Sequence, residues 1–306
     1  MDMRKHTLTK ILTINMILWG ILTGCGGGSS NEKSQPVPAP TPSVPTATAK
    51  CGQYSIDSDQ SCITIGNRSA ITYASNDTSE YSGLAIFLHG APGAPTKVSE
   101  IFGSKAIADK FNLVSIAPKG NNSSYEWTST NNTLSETPDV DYLINVIDEA
   151  QSKYTFTDNK IFIFGYSAGG FMAYKLACKI PERLSAVISL AGQFRGDFDA
   201  CSTSTSIAVH HLHSTIDKEV PFFGRDNGNI ASVPDTIAFW QNKNGCSTVI
   251  EETIQAGVTA ASTETRTEKY TDCVNSVALS YLDSVAHESN YIAESLLSTY
   301  EYLLID

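Results

Sequence analysis

The sequence predicts an α/β fold, a mostly parallel central sheet with helices on both faces. Three observations predict it. Across residues 51–306 short apolar runs alternate with longer stretches of helical period, the pattern of strands joined through crossover helices. No internal repeat and no Pro-rich break interrupts that block, so it reads as one domain. Within it, Gly165, Tyr166, Ser167, Ala168 and Gly169 stand between an apolar run and a helical one, which puts a tight turn where a strand meets a helix.

In chain order, residues 1–24 read as an export signal. Arg4, Lys5 and Lys10 supply the positive start, and the apolar stretch at 11–22, interrupted by Thr13 and Asn15, is too short to span a bilayer comfortably. Leu22, Thr23, Gly24 and Cys25 resemble the end of a bacterial lipoprotein signal, which implies cleavage before Cys25 and a lipid on that residue. An ordinary secretory signal is the alternative. Residues 25–50 form a Gly-, Ser- and Pro-rich linker with prolines at 36, 38, 40, 42 and 45; alternating Pro holds such a segment extended, as a semi-rigid stalk.

In the block at 51–306, apolar runs at 84–88 and 112–117 read as strands, the first ending at His89 and Gly90 and the second closed by Pro118. Residues 140–154 place Leu143, Val146 and Ile147 on one helical face, and 160–164 follows as a buried strand. A helix is expected over 171–180, strands over 185–190 and 207–212, and a helix opened by Pro234 and ended at Asn244 and Gly245.

Composition narrows the chemistry. Lys and Arg number 21 against 32 Asp and Glu, a formal net charge of −11. That charge repels polyphosphate, so nucleic acid is excluded as a partner and neutral ligands fit better. Apart from Cys25 there are six cysteines, Cys51, Cys62, Cys178, Cys201, Cys246 and Cys273, an even number in a chain bound for an oxidising compartment. Nearest-neighbour pairing closes short loops at low entropic cost: 51 with 62, 178 with 201, 246 with 273. No cysteine or histidine spacing matches a structural zinc site, and no metal or cofactor is expected. His211 and His213 share a strand face, but packing at a strand end accounts for them and for His210.

The turn at 165–169 carries the chemistry. Strand, G-x-S-x-G and helix in that order form a nucleophile elbow, whose small residues let the Ser backbone adopt a strained turn without side-chain collision. A Ser hydroxyl needs a base, and the base needs an orienting carboxylate. In this architecture the order is Ser, acid, His, and of the six histidines only His287 lies beyond every plausible acid. The acid belongs in a loop past a strand end. Asp217 follows the strand at 207–212 and is the candidate, with Glu219 and Asp283 as alternatives. The N–H groups of Ala168 and Ala91 are candidates for an oxyanion hole, with Gly90 in reserve because Pro92 has no N–H. His89 is expected to buttress that loop. Tyr166, Trp127 and Phe222, with Phe223, are candidates to line an apolar pocket, or else belong to the core.

These residues resemble the esterase family of the α/β-hydrolase superfamily that includes extracellular poly(3-hydroxybutyrate) depolymerases and feruloyl and acetyl xylan esterases. The carriers are Leu88 to Gly90, Asp139 with Val140, Gly165 to Gly170, and Cys178 with Pro181 and Ala186. To these are added His213 to Asp217 with Val220, Pro221, Phe222 and Gly224, then Trp240, Asn244 to Cys246, and Tyr270 to Cys273. The resemblance implies an α/β-hydrolase fold, a cofactor-free serine esterase with Ser167, Asp217 and His287 as triad, and the disulfides 178 with 201 and 246 with 273. The chain departs from the family twice: Glu288, Ser289 and Asn290 follow His287 where Trp, Pro and Gly are usual, and Ser214 stands where Gly is usual.

The sequence is therefore expected to encode an exported serine esterase, anchored at the cell envelope, in the outer membrane, or released outside the cell. It would touch the membrane only through its N-terminal lipid and take a neutral, possibly polymeric ester. A serine peptidase of the same fold and a binding protein without turnover are the competing readings.

Overall fold

The computed structural model describes residues 49–75, 78–121, 126–132 and 137–305. The export signal, Cys25 and the linker up to residue 48 lie outside the described residues. The observed elements begin with a two-stranded ribbon, β1 (Lys50–Cys51) and β2 (Tyr54–Ser55), and a hairpin, β3 (Gln60–Ile65) and β4 (Arg68–Tyr73). There follow β5 (Glu80–Leu88), α1 (Pro95–Phe102), α2 (Ser104–Phe111), β6 (Leu113–Pro118), α3 (Pro138–Lys153), β7 (Thr155–Tyr166) and α4 (Ala168–Lys179). The C-terminal part holds β8 (Ala186–Leu190), β9 (Ala208–His213), α5 (Val233–Asn244), β10 (Ile250–Ala256), β11 (Glu264–Tyr270), β12 (Val277–Leu282), α6 (Ala293–Tyr300) and α7 (Tyr302–Ile305).

One sheet has the order β10-β11-β12-β9-β8-β7-β5-β6-β4-β3. Its middle, from β12 to β6, is parallel, and the hairpins β3-β4 and β10-β11 extend it antiparallel at the two edges. Alternation along the strands sends side chains to two faces. Leu84, Ile86, Leu88, Ile161 and Ile163 share a core with Leu143 and Val146 of α3, Leu176 of α4 and Trp240 of α5. Ala85, Phe87, Phe162 and Phe164 pack on Phe102 of α1, Ile107 of α2 and Tyr300 of α6. The sheet therefore lies between two helical layers, the predicted architecture.

The element bounds differ from the sequence expectation in one informative place. β7 runs over Thr155–Tyr166 instead of 160–164 alone, because its exposed, polar first half pairs with the start of β5 (Glu80 with Thr155, Tyr81 with Phe156) ahead of a bulge. All three cysteine pairs join as expected: Cys51–Cys62, Cys178–Cys201 and Cys246–Cys273. The second ties the end of α4 to the loop between β8 and β9.

That crosslink closes a separation of 23 residues, for which loop-closure entropy stabilises the native state by about 3 kcal/mol. Replacing both Cys178 and Cys201 by Ala is expected to lower the unfolding free energy by that amount in urea titrations. An unchanged midpoint would show that the bridge contributes nothing.

Candidate active site

The parallel strands β5, β7, β8, β9 and β12 all end on one edge of the sheet, where folds of this class keep their sites. The loops leaving β5, β7, β9 and β12 carry His89–Gly93, Ser167, Asp217 and His287 respectively. Parallel topology thus collects residues up to 198 positions apart in sequence, His89 and His287, at one end of the molecule.

Ser167 sits between β7 and α4 with φ 54° and ψ −118°, a left-handed conformation that costs a non-Gly residue roughly 1–3 kcal/mol and persists only where the surroundings impose it. They do so through absent side chains. A Cβ on Gly165 would lie 2.3 Å from the Gly169 carbonyl oxygen, and one on Gly169 would lie 2.0 Å from that of Leu88. The Ser167 amide donates to Leu190 O on β8 at 2.9 Å, fixing the turn to the neighbouring strand.

The structure brings Ser167, His287 and Asp217 together. His287 Nε2 lies 2.8 Å from Ser167 Oγ, and His287 Nδ1 lies 2.6 Å from Asp217 Oδ2. All three residues are buried. Since the carboxylate can only accept, Nδ1 carries the hydrogen and Nε2 is left as the acceptor for the Ser hydroxyl. Asp217 Oδ1 accepts the amides of Glu219 and Val220 at 2.9 Å each. Burial by itself raises the Asp217 carboxyl, but the His213 and His287 donors and the Val220 amide outweigh it and hold the group well below the usual carboxylate range. The group is therefore an anion. Of the two alternative acids, Glu219 is exposed and Asp283 is bonded to Thr263 and Ser284 on the surface.

The loop after β5 lies against the elbow: a Cβ on Gly90 would meet Ser167 Cβ at 3.3 Å. Ala168 opens α4, so its N–H has no acceptor within the helix, and Ala91 lies in the adjoining loop. His89 Nδ1 donates to Gly90 O at 2.7 Å while Nε2 accepts the Gly120 amide at 2.9 Å, which fixes one neutral tautomer. Burial lowers its pKa to about 4. Behind it, buried Asp139 accepts from Arg68, Asn121 and the Thr128 amide and so anchors the segment that supports His89.

The expected pocket residues have other roles. Trp127, 1% exposed, donates its indole N–H to His89 O at 2.8 Å. It braces the loop from within the core, which corrects the expectation that it lines a pocket. Phe222, 5% exposed, packs edge-on against the His213 ring and beside Tyr281, so it too belongs to the core. Tyr166 stacks on His287 at 5.4 Å between ring centres and donates its hydroxyl to the His287 carbonyl at 2.8 Å. Sequence reasoning missed Tyr291, whose hydroxyl donates to the same carbonyl at 3.2 Å, and Glu288, whose carboxylate at 3.0 Å shares the one Tyr166 hydroxyl hydrogen with that carbonyl. Glu288 occupies the first of the positions that depart from the family pattern, and its contact with Tyr166 holds the loop there. Glu219, His287 and Glu288 offer ligand atoms within 4.8 Å of one another, the one such grouping among the described residues. Both His287 nitrogens, however, are engaged by Ser167 and Asp217.

Residues 74–231, just over half of the chain, match the phospholipase/carboxylesterase family. The bifunctional acetylxylan esterase/xylanase XynS20E of Neocallimastix patriciarum is 23% identical over 145 residues, 47% of this chain and 21% of that protein. The probable feruloyl esterase C of Aspergillus niger is 31% identical over 110 residues, 36% of this chain and 37% of its own. The chain thus spans well under half the length of either relative. The acetyl xylan esterase from Aspergillus awamori has the same fold, with a TM-score of 0.58 and 17% identity over 80% of this chain and 98% of that one.

Buried neutral histidines couple this site to acid stability. Burial lowers His89 to about 4 and His210 to about 3, and pushes His211 well below its ordinary value. As pH falls below about 6.5 the unfolded chain takes up protons that these rings refuse in the native state, so stability declines from there towards pH 4, by at most about 1.4 kcal/mol per pH unit for each ring. The depressed Asp217 adds its own loss below about pH 3.9, as the pH falls towards the folded value. Urea unfolding at pH 7 and 4.5 reads the slope, and His210→Asn should flatten it. Equal stability at both pH values would contradict neutral burial.

Proposed function

Since the chain belongs to the phospholipase/carboxylesterase family, we propose that it hydrolyses neutral carboxylic esters through an acyl-Ser167 intermediate. The observation that carries this reading is the unbroken Ser167–His287–Asp217 hydrogen-bond line at the strained elbow. Ser167 Oγ attacks the ester carbonyl carbon while its proton passes to His287 Nε2. The tetrahedral oxyanion is held by the Ala168 and Ala91 N–H groups, and its collapse expels the alcohol, which takes the proton from His287. Water then repeats the sequence on the acyl-serine, with His287 as base, and releases the acid. Asp217 keeps the imidazole in the required tautomer and stabilises the imidazolium.

Neutral esters suit the electrostatics, because the Glu219 and Glu288 carboxylates stand beside His287 and the chain carries 32 acidic against 21 basic residues. The names of the relatives favour acetyl or feruloyl esters of polysaccharide over hydroxyalkanoate oligomers. An extracellular substrate accords with the signal at 1–24 and a lipid on Cys25. In this reading the lipid tethers the enzyme to the membrane, and Cys25→Ser releases it into the soluble fraction.

The test is hydrolysis of an activated aryl ester and labelling by a serine-directed phosphonate. Ser167→Ala and His287→Ala are each expected to lower kcat by about 10⁴-fold or more, and Ser167→Ala to abolish labelling. Turnover that survives Ser167→Ala would overturn the reading. A panel of acetylated xylan, methyl ferulate and hydroxybutyrate oligomers then ranks the substrates by kcat/KM.

A further inference from the structure

We propose that His213 is a positioning residue for Asp217, the last member of a one-way hydrogen-bond chain that starts at Tyr174 and runs through His211. The observation is a line of fully buried polar groups with a single consistent set of hydrogens. His213 Nε2 lies 2.8 Å from the Val220 carbonyl oxygen, which can only accept, so Nε2 bears the hydrogen. In the neutral ring Nδ1 is then the acceptor. His211 Nε2, 3.0 Å away, must be the donor to it. His211 Nδ1 in turn accepts, and Tyr174 Oη, 3.0 Å away, donates to it. For neutral rings this set is unique, since reversing His211 would set its bare Nε2 against the bare Nδ1 of His213.

The chain ends on the site. The same His213 Nε2 is 3.4 Å from Asp217 Oδ2, the oxygen that also accepts His287 Nδ1–H. The His213 hydrogen is engaged by Val220 O, and the positive end of that N–H lies beside the carboxylate as an electrostatic contact. Val220 also donates its amide to Asp217 Oδ1, so one residue is held from both sides and the acid loop cannot turn without breaking the His213 bond. His211 and His213 are 0% exposed, as is Tyr174. The charged and titratable groups facing this unit are His287 and Tyr291 after β12, Glu288 beside them, Glu219 on the acid loop, Tyr166 of β7, and His210 with Lys269 beyond the neighbouring strand face. Of these, His287 alone donates to the same carboxylate oxygen among the described contacts.

The positive end of the His213 N–H beside Oδ2 offsets part of the carboxylate charge. Its removal strengthens the pull of Asp217 on a protonated His287, so the His287 pKa rises. What Asp217 does in turnover rests on the esterase reading, but the titration of His287 by NMR needs no substrate, so either can fail without the other. His213→Leu is expected to raise the His287 pKa, and with it the acid limb of kcat/KM, by about half a pH unit. It should lower kcat by about ten-fold with KM within two-fold. His213→Gln, whose amide reaches the Nε2 position and can donate, should restore most of both. Tyr174→Phe removes only the remote hydroxyl and should move the His287 titration in the same direction by a smaller step, which decides the matter where the His213 variants do not fold. A folded His213→Leu protein, or Tyr174→Phe where that is the readable variant, with an unshifted His287 titration would overturn the proposal. A kcat loss that Gln fails to restore would do so as well, by pointing to packing alone.

Discussion

The close approach of α4 to the strands beneath it is the constraint on which the site depends. Gly165 and Gly169 are positions where any side chain would strike backbone oxygen within 2.3 Å, and that absence of side chains lets the helix start directly at the strand end. Ser167 is caught between the two with positive φ, so its hydroxyl stands clear of both elements and its neighbour Ala168 presents an N–H that the helix does not use. The strain is local, and its cost is spread over a core in which α4 is buried along nearly its whole length.

Around that turn, polar groups are buried only where geometry answers them. His89, His210, His211 and His213 lie at 0–1% exposure, yet each ring has a partner at both nitrogens, from carbonyl and amide to hydroxyl and a second ring. A partner of fixed polarity forces the tautomer, and the tautomer holds the loop. Asp139 does the same for the segment behind His89, and Tyr166 with Tyr291 for the carbonyl of His287. The reactive edge is therefore rigid because desolvated polar groups would be costly if their partners moved.

Much of the fold was legible because the central strands are buried on both faces and read as unbroken apolar runs, as in 84–88 and 161–164. The edges were not. β10 is exposed along most of its length, with no alternation to reveal it, and the first half of β7 is polar because it runs past the core into solvent. α1 and α2 are eight residues each, barely two turns, too short for a helical period to stand out. Trp127 and Phe222 stayed open between pocket and core for a different reason: an aromatic near a site in sequence has the same signature whether it faces a ligand or braces a loop, and only its hydrogen bond to His89 or its contact with His213 distinguishes the two.

The sequence by itself determined the order of the central elements, the elbow and the chain order of Ser167, Asp217 and His287, because those depend on local spacing and on which residue types a tight turn admits. The tertiary structure alone decided which nitrogen faces which oxygen, that Tyr166, Glu288 and Tyr291 hold the His287 loop, and that burial keeps His210 and His211 of one strand neutral. Those outcomes follow largely from contacts between distant residues, 37 positions apart for Tyr174 and His211 and 122 for Tyr166 and Glu288, and from the removal of water around them. A linear pattern of residue types encodes neither.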